Sequence, residues 1–280
     1  NSSLVAGNDI NIITDTLRNK RVSRGKFSTS IEDKTVNLSS NLGITGNLFI
    51  SSGNNTNIKG SNILVAGNAN IKTGNELNIV SAEDSYYHFE ETKKKGGWGR
   101  KSSTKTTENN ISNQSSNITA GGNLTLISNN NIIKASNLKA VDDLNIISTN
   151  NTYLVSATDS QFKQTETKKK GTFTFKNNDK GNINSQIIET SLDSTNGNIN
   201  IISGGNNLVQ FNQDKESNLQ QILTTNPNNN ININQAQTLF QGQSEINKNW
   251  DETTRGLTEV SQVVVAVAAA AIAIGTGGIG

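Results

Sequence analysis

The residues of this 280-residue chain best suited to chemistry are cations. Lys93, Lys94 and Lys95 form a run continued by Gly96, Gly97, Trp98, Gly99, Arg100 and Lys101, and Lys168, Lys169 and Lys170 repeat the run before Gly171. Clustered ammonium and guanidinium groups beside an indole suit anionic headgroups, lipopolysaccharide or polyanionic glycans, with Trp98 as an interfacial anchor. The same lysines also suit a plainer role, as solvated charges that keep a sheet edge from pairing with other chains. Both readings stand at the level of sequence.

Other chemistry finds little support. Catalysis on a repetitive β scaffold needs carboxylates gathered with a basic residue, or Ca²⁺ ligands, at equivalent positions of neighbouring coils. The acidic residues here are scattered, and Asp142-Asp143 stands where other segments carry Gly-Asn, as a corner variant would. The sole histidine, His88, has no evident partner in the sequence. Cysteine is absent, which excludes a disulfide framework, a thiolate metal site and a cysteine nucleophile. No Gly-Gly-x-Gly-x-Asp calcium repeat, P-loop or dinucleotide fingerprint occurs. The expectation is a protein with no catalytic, cofactor-binding or metal-ligating residues, and with no nucleic-acid partner.

What must position the lysines is a repeated module. Ser81-Ala82-Glu83-Asp84-Ser85 returns as Ser156-Ala157-Thr158-Asp159-Ser160, Thr92-Lys93-Lys94-Lys95-Gly96 as Thr167-Lys168-Lys169-Lys170-Gly171, and Gly122-Asn123-Leu124 as Gly197-Asn198-Ile199. One shared offset, 75 positions, marks a tandem array. Ser39-Ser40-Asn41-Leu42 anticipates Ser115-Ser116-Asn117-Ile118, and Ser3-Leu4-Val5-Ala6-Gly7-Asn8 resembles Ile63-Leu64-Val65-Ala66-Gly67-Asn68, which implies a leading module with a shorter insertion.

Within the modules a finer unit recurs, as in Gly7-Asn8-Asp9-Ile10-Asn11-Ile12 and Gly74-Asn75-Glu76-Leu77-Asn78-Ile79. Apolar and polar residues alternate, the period of a strand with one buried face. Gly46 to Gly67 and Gly53 to Gly74 are 21 apart and Leu124 to Leu144 is 20, which suits one turn of a parallel β-helix built of three short strands. A hydrophobic content of 32% and an aromatic content of 5% are thin for a globule but enough for a narrow axial core. Asn fills about one position in six, which suits side-chain ladders at equivalent corners or a general taste for Asn as a polar residue. A net charge of only +2 and the regular alternation argue against disorder, and the single proline, Pro227, suits continuous backbone ladders.

From 85 to 108 the coil pattern stops, and aromatic and Thr-rich stretches flank the glycine-rich lysine segment, predicting a β-hairpin with a basic tip. Similar insertions are expected at about 15–35 and 160–190. After Asn207 the period changes: Ala236, Leu239, Phe240, Gln243, Ile246 and Trp250 follow spacings of three and four, predicting an amphipathic helix. Residues 263–274 are twelve uninterrupted apolar residues, too few to span a bilayer, which takes about 20. The fold class expected is all-β, a right-handed parallel β-helix over 1–207 with hairpin extensions and a helical transition over 208–280. The chain opens at Asn1 with no start methionine or signal peptide and is expected to be a piece of a longer protein.

The coil strings, together with Asp84-Ser85-Tyr86-Tyr87-His88-Phe89-Glu90-Glu91-Thr92-Lys93-Lys94-Lys95-Gly96-Gly97-Trp98-Gly99-Arg100-Lys101, resemble the haemagglutinin-repeat region of filamentous haemagglutinin-like proteins. The likeness is greatest to the second such region of CdiA-type contact-dependent growth inhibition toxins. The second copy departs from the pattern, with Gly171-Thr172-Phe173-Thr174-Phe175 in place of the Trp turn, so a role tied to Trp98 does not carry over to it. The resemblance implies a β-helical filament secreted to the surface of a Gram-negative bacterium by an outer-membrane two-partner secretion transporter. It further implies contact with a target-cell envelope or surface glycans and lipids. In the toxin branch it implies a role in delivering a C-terminal toxin, carried in cis with its immunity protein as partner. A filamentous adhesin for host cells is the alternative, and a β-helical polysaccharide-active enzyme a more remote one.

Overall fold

Strand alternation becomes a stack of coils in the computed structural model, which describes residues 1–97, 100–170, 175–215, 223–224, 226, 228–234 and 237–254. The first coil is β1 (Ser2–Ala6), β2 (Ile10–Ile13), a hairpin of β3 (Asp15–Arg24) and β4 (Ser28–Leu38), then β5 (Asn41–Ile44). The second has no hairpin: β6 (Leu48–Ser52), β7 (Thr56–Lys59), β8 (Asn62–Val65). The third is β9 (Ala69–Thr73), β10 (Glu76–Val80), a hairpin of β11 (Ala82–Lys95) and β12 (Lys101–Gln114), then β13 (Asn117–Ala120). The fourth is again plain, with β14 (Leu124–Ser128), β15 (Asn130–Lys134) and β16 (Asn137–Ala140). The fifth carries β17 (Leu144–Ser148), β18 (Thr152–Val155), a hairpin of β19 (Ala157–Lys170) and β20 (Phe175–Ile188), and β21 (Ser191–Ser194). Then follow β22 (Asn198–Ser203), β23 (Asn207–Asn212), β24 (Asn230–Ile233), β25 (Thr238–Gln243) and β26 (Asn247–Thr254).

Equivalent strands pair in parallel into three walls, in the orders β1-β6-β9-β14-β17-β22-β24, β2-β7-β10-β15-β18-β23-β25 and β5-β8-β13-β16-β21. Inward residues stack in register: Ile50, Ile71, Leu126, Ile146 and Ile201 face one another down the first wall and are at most 2% exposed. Narrow as it is, this column buries enough apolar surface per coil to hold the stack together.

Corners are fixed by asparagine. The side-chain Oδ1 of Asn47, Asn68, Asn123 and Asp143 each accepts the backbone N–H of the equivalent residue one coil on, at sequence steps of 21, 55, 20 and 55. A plain coil of 20 and a hairpin-bearing coil of 55 together make the 75-residue module, and Asp143 is a corner residue. The plain coils turn tightly from the second wall to the third through a left-handed residue, Gly60 (φ 53°) or Ala135 (φ 44°). A Cβ on Gly60 would lie 2.5 Å from that of Ala82 at the root of the next hairpin, so the position needs glycine.

The hairpins do not project singly. They pair side by side into one antiparallel seven-stranded sheet, a fin in the order β26-β20-β19-β12-β11-β4-β3. Their strands also reach nearer the root than 85–108, from 82 to 114.

Two expectations are corrected. The predicted helix is replaced by strands, with Leu239, Phe240 and Gln243 in β25, Trp250 in β26 and Ile246 in the link between them; Ala236 lies outside the described residues. Phe240 continues the inward position of Val209 and packs on the core, while Trp250 pairs in register with Gly181, so waiting sheet edges outweigh a weak three-four spacing. The coil stack therefore runs past Asn207 to Gln243. Nor does the likeness of Leu4-Val5-Ala6-Gly7-Asn8 to Leu64-Val65-Ala66-Gly67-Asn68 mark equivalent positions. Leu4 faces inward opposite Ile50 on the first wall, whereas Leu64 points out of the third wall, 61% exposed. The apolar run 263–274 lies outside the described residues.

Candidate functional site

Along a strand, side chains alternate between faces, and residues directly opposite across an antiparallel pair share one. Applied to the fin, this rule sorts its tip. Lys95 stands opposite Lys101, and Lys101 opposite Lys170, on one face. On the other, Lys94, Ser102, Lys169 and Lys176 stand in line. Lys93, Ser103 and Lys168 form a third row nearer the root. Neighbouring strands are about 4.8 Å apart, so these rows are closely spaced lines of charge running across two hairpins.

Two residues named from sequence are paired locally: Lys93 Nζ lies 2.9 Å from Glu91 and Lys168 Nζ 3.8 Å from Glu166. Lys94, Lys95, Arg100, Lys101, Lys169, Lys170 and Lys176 are exposed and have no ion pair among the described residues. A cleft of about 470 Å³ between the second and third hairpin tips is lined by Lys94, Lys95, Arg100, Lys101, Lys169, Lys170 and Lys176, with no carboxylate in its lining. Gly96 N–H donates to the Arg100 carbonyl at 2.8 Å and closes the turn. Trp98 lies outside the described residues, so its anchor role has no geometry here.

The first hairpin joins the same margin. Lys93 N–H donates to the Phe27 carbonyl at 2.7 Å, and the Phe27 ring has Lys26 Nζ 5.5 Å and Lys95 Nζ 5.8 Å from its centroid. Sequence reasoning missed Lys26, Phe27 and Lys176, although Gly25-Lys26 in the first insertion offers a short turn with a cation at it.

Like charges directly opposite one another destabilise a sheet. Edge protection does not explain the arrangement, because β11, β12 and β19 are interior strands of the fin. That role fits β3, the outermost strand, with Arg18, Lys20, Arg21 and Arg24 exposed along it. There Arg18 Nη2 lies 2.7 Å from Asp33, and its hydrogen bond holds the Asp33 carboxyl below the ordinary range.

His88 sits deeper in the fin, directly opposite Glu32 and Glu108, with its ring stacked 6.3 Å from Tyr86. Its Nδ1 has no hydrogen-bond partner. Among the described residues no three His, Asp or Glu side chains converge as a metal site.

Stacked coils with laterally paired hairpins are therefore the repeating unit. The hemagglutinin repeat model matches residues 1–99 and again 96–184. The chain belongs to the hemagglutinin repeat family. The first match takes in the first hairpin and the ascending strand of the second, β1 to β11, and the second match runs from β12 through β19 into β20, so the two meet within the second hairpin. The family is structural and adhesin-like and points to a secreted, cell-surface bacterial protein. No curated protein and no solved structure matches the chain.

Proposed function

We propose that this hemagglutinin-repeat solenoid is a stiff, non-enzymatic stretch of a secreted surface filament whose fin holds a lysine margin against anionic groups of a target envelope. The observation that carries the reading is the row Lys95, Lys101 and Lys170, three cations directly opposite one another on interior strands. Such a row costs stability when empty and is relieved by an anion lying across it. Lys94, Lys169 and Lys176 give the opposite face the same character, so the tip meets a charged surface edge-on. The Phe27 ring between Lys26 and Lys95 stiffens the first tip against the second.

The test is binding to lipopolysaccharide and to anionic vesicles at increasing salt. Binding should fall steeply between 0.05 and 0.2 M salt, on the order of tenfold or more, as the Debye length drops. Replacing Lys94, Lys95, Lys101, Lys169 and Lys170 by Gln should remove it. Binding indifferent to both salt and these replacements would reject the reading.

A second, finer reading is that the filament carries a toxin into the bound cell, with a two-partner transporter as its exporter. It is favoured by the uninterrupted apolar run 263–274 that follows β26 in the sequence. Deleting residues 236–280 in frame from a full-length protein that intoxicates its targets should spare surface display and abolish cargo transfer. Transfer that survives the deletion would leave the adhesin.

A further inference from the structure

The front end of the solenoid is an unfinished interface. Strands β1, β2 and β5 are the outermost of the three walls at the same end of the stack. Leu4 is 40% exposed there, whereas Ile50, its register partner one coil on, is fully buried. Ile12, Leu42 and Ile44 are likewise only partly buried, while their partners Ile58, Ile63 and Val65 are at most 1% exposed. These are core positions with one side uncovered.

The asparagine ladders have a direction, and it points the same way. Asn62 Nδ2 donates to Asn41 Oδ1, Asn117 to Asn62 and Asn137 to Asn117, each at 2.8 Å. On the second wall Asn57 donates to Asn11 at 2.8 Å and Asn78 to Asn57 at 3.0 Å. Each amide thus donates to the coil in front of it. At the front, Asn41 Nδ2 reaches only its neighbouring Ser39 carbonyl at 3.3 Å, and Asn11 Nδ2 has no partner among the described residues. Two rows of donors end facing out.

A glycine marks the missing neighbour as well. A Cβ on Gly53, Gly74 or Gly204 would lie 2.1 to 2.2 Å from a carbonyl oxygen of the coil in front, that of Gly7, Gly53 or Thr149. Asn129 and Thr149 fill this corner in the two remaining coils. Gly7 occupies the same corner of the first coil and has nothing within 4 Å.

We infer that this end docks one further coil of the same repeat, plain and without a hairpin. The coil stacks in parallel on β1, β2 and β5, offering an apolar inward face and side-chain acceptors, Asn or Asp, in front of Asn11 and Asn41. It is plain because plain and hairpin-bearing coils alternate, and the first coil carries a hairpin. The fin itself ends at β3: Leu17 stands there in line with Asp84 and Asp159, the carboxylates that tie each later hairpin to the one before. A second copy of the chain stacked by translation fits poorly. It would set β26 beside β3, two strands that both run from root to tip in a sheet that otherwise alternates.

The test fuses a copy of residues 48–68, a plain coil that natively precedes a hairpin-bearing one and sets Asn57 in front of Asn11 and Asn62 in front of Asn41, directly before Ser2. A second fusion uses the other such coil, residues 124–143, which keeps an acceptor, Asn137, in front of Asn41 but sets Ile132 in front of Asn11. A third carries a scrambled sequence of the same composition. Amide hydrogen exchange of β1, β2 and β5 should slow at least tenfold in one or both native-sequence fusions and stay unchanged in the scrambled one. The inference is overturned if neither native-sequence coil protects these strands, or if the scrambled coil protects them equally. It is also overturned if the unfused chain already protects them in a concentration-dependent way, since a second copy would then be the occupant.

Discussion

Asp84 Oδ1 accepts two hydrogen bonds from Asn37, from the backbone N–H at 2.7 Å and from Nδ2 at 2.9 Å. The pair joins the root of the second hairpin to the descending strand of the first. Asp159 repeats it with Asn113 at 2.7 and 3.0 Å, and Glu245 takes the carboxylate's place opposite the Ile187 N–H at 3.1 Å. The repeated Ser-Ala-x-Asp-Ser landmark is thus the clamp that turns separate hairpins into one fin.

Hydrogen bonds to a charged group contribute about 1.5–3 kcal/mol each. Asp84→Ala removes both bonds from Asn37 and should therefore destabilise the protein by about 3 kcal/mol or more in urea unfolding. Exchange protection should be lost first along the β4 and β11 pairing. A loss confined to the coil walls, with the fin intact, would contradict the clamp.

Much of the coil was legible because its signals are local. The Gly-Asn corners, the Leu124 to Leu144 spacing and the inward Ile and Leu positions each follow from period and turn chemistry. Lateral pairing of the hairpins was not legible, since Lys101 meets Lys170 through a register that only the 55-residue coil sets. The strand fate of Leu239 to Trp250 was hidden for the same reason: Phe240 and Trp250 follow edges supplied by Val209 and Gly181, far away in sequence. At the site, the runs at 93–95 and 168–170 were legible and their meeting was not.

The lysines should not be equivalent in binding. Lys93 and Lys168 already neutralise Glu91 and Glu166, whereas Lys95, Lys101 and Lys170 have no ion pair. Replacing the first two by Gln should change affinity for anionic vesicles by less than about twofold. Replacing the other three should weaken it by about tenfold or more and flatten the salt dependence. Equal losses from both sets would show that total charge, rather than the opposed row, does the binding.

Ile201 is 2% exposed and lies between Ile146 and Ile233 in the inward column. Ile201→Asp buries a charge with no cation beside it and should cost several kcal/mol, enough to unravel the last coils. Ile71→Ala, in the middle of the same column, should cost about 2–5 kcal/mol by leaving a cavity. Thermal unfolding followed by circular dichroism at a β-sheet wavelength checks both. A mainly helical spectrum for residues 1–205 would contradict the fold itself.

The far edge of the fin depends on a glycine. Trp250 is 8% exposed, its Nε1 donates to Asp179 Oδ1 at 3.0 Å, and its ring lies 6.1 Å from that of Phe162. Gln164 Nε2 also donates to Asp179, at 2.9 and 3.0 Å, so this buried carboxylate is held by neutral donors. The indole reaches them by lying across Gly181, where a Cβ would come within 2.3 Å of Cζ2 and 2.5 Å of the Lys163 carbonyl oxygen. Gly181→Ala should therefore expel the ring. Fluorescence of a Trp98→Phe background, which leaves Trp250 as the sole indole, should shift to the red, and β26 should lose its exchange protection while β11 and β12 keep theirs. Asp179→Asn retains an acceptor for the indole N–H and should leave the emission nearly unchanged. An unshifted spectrum for Gly181→Ala would mean that β26 is held by its backbone ladder alone.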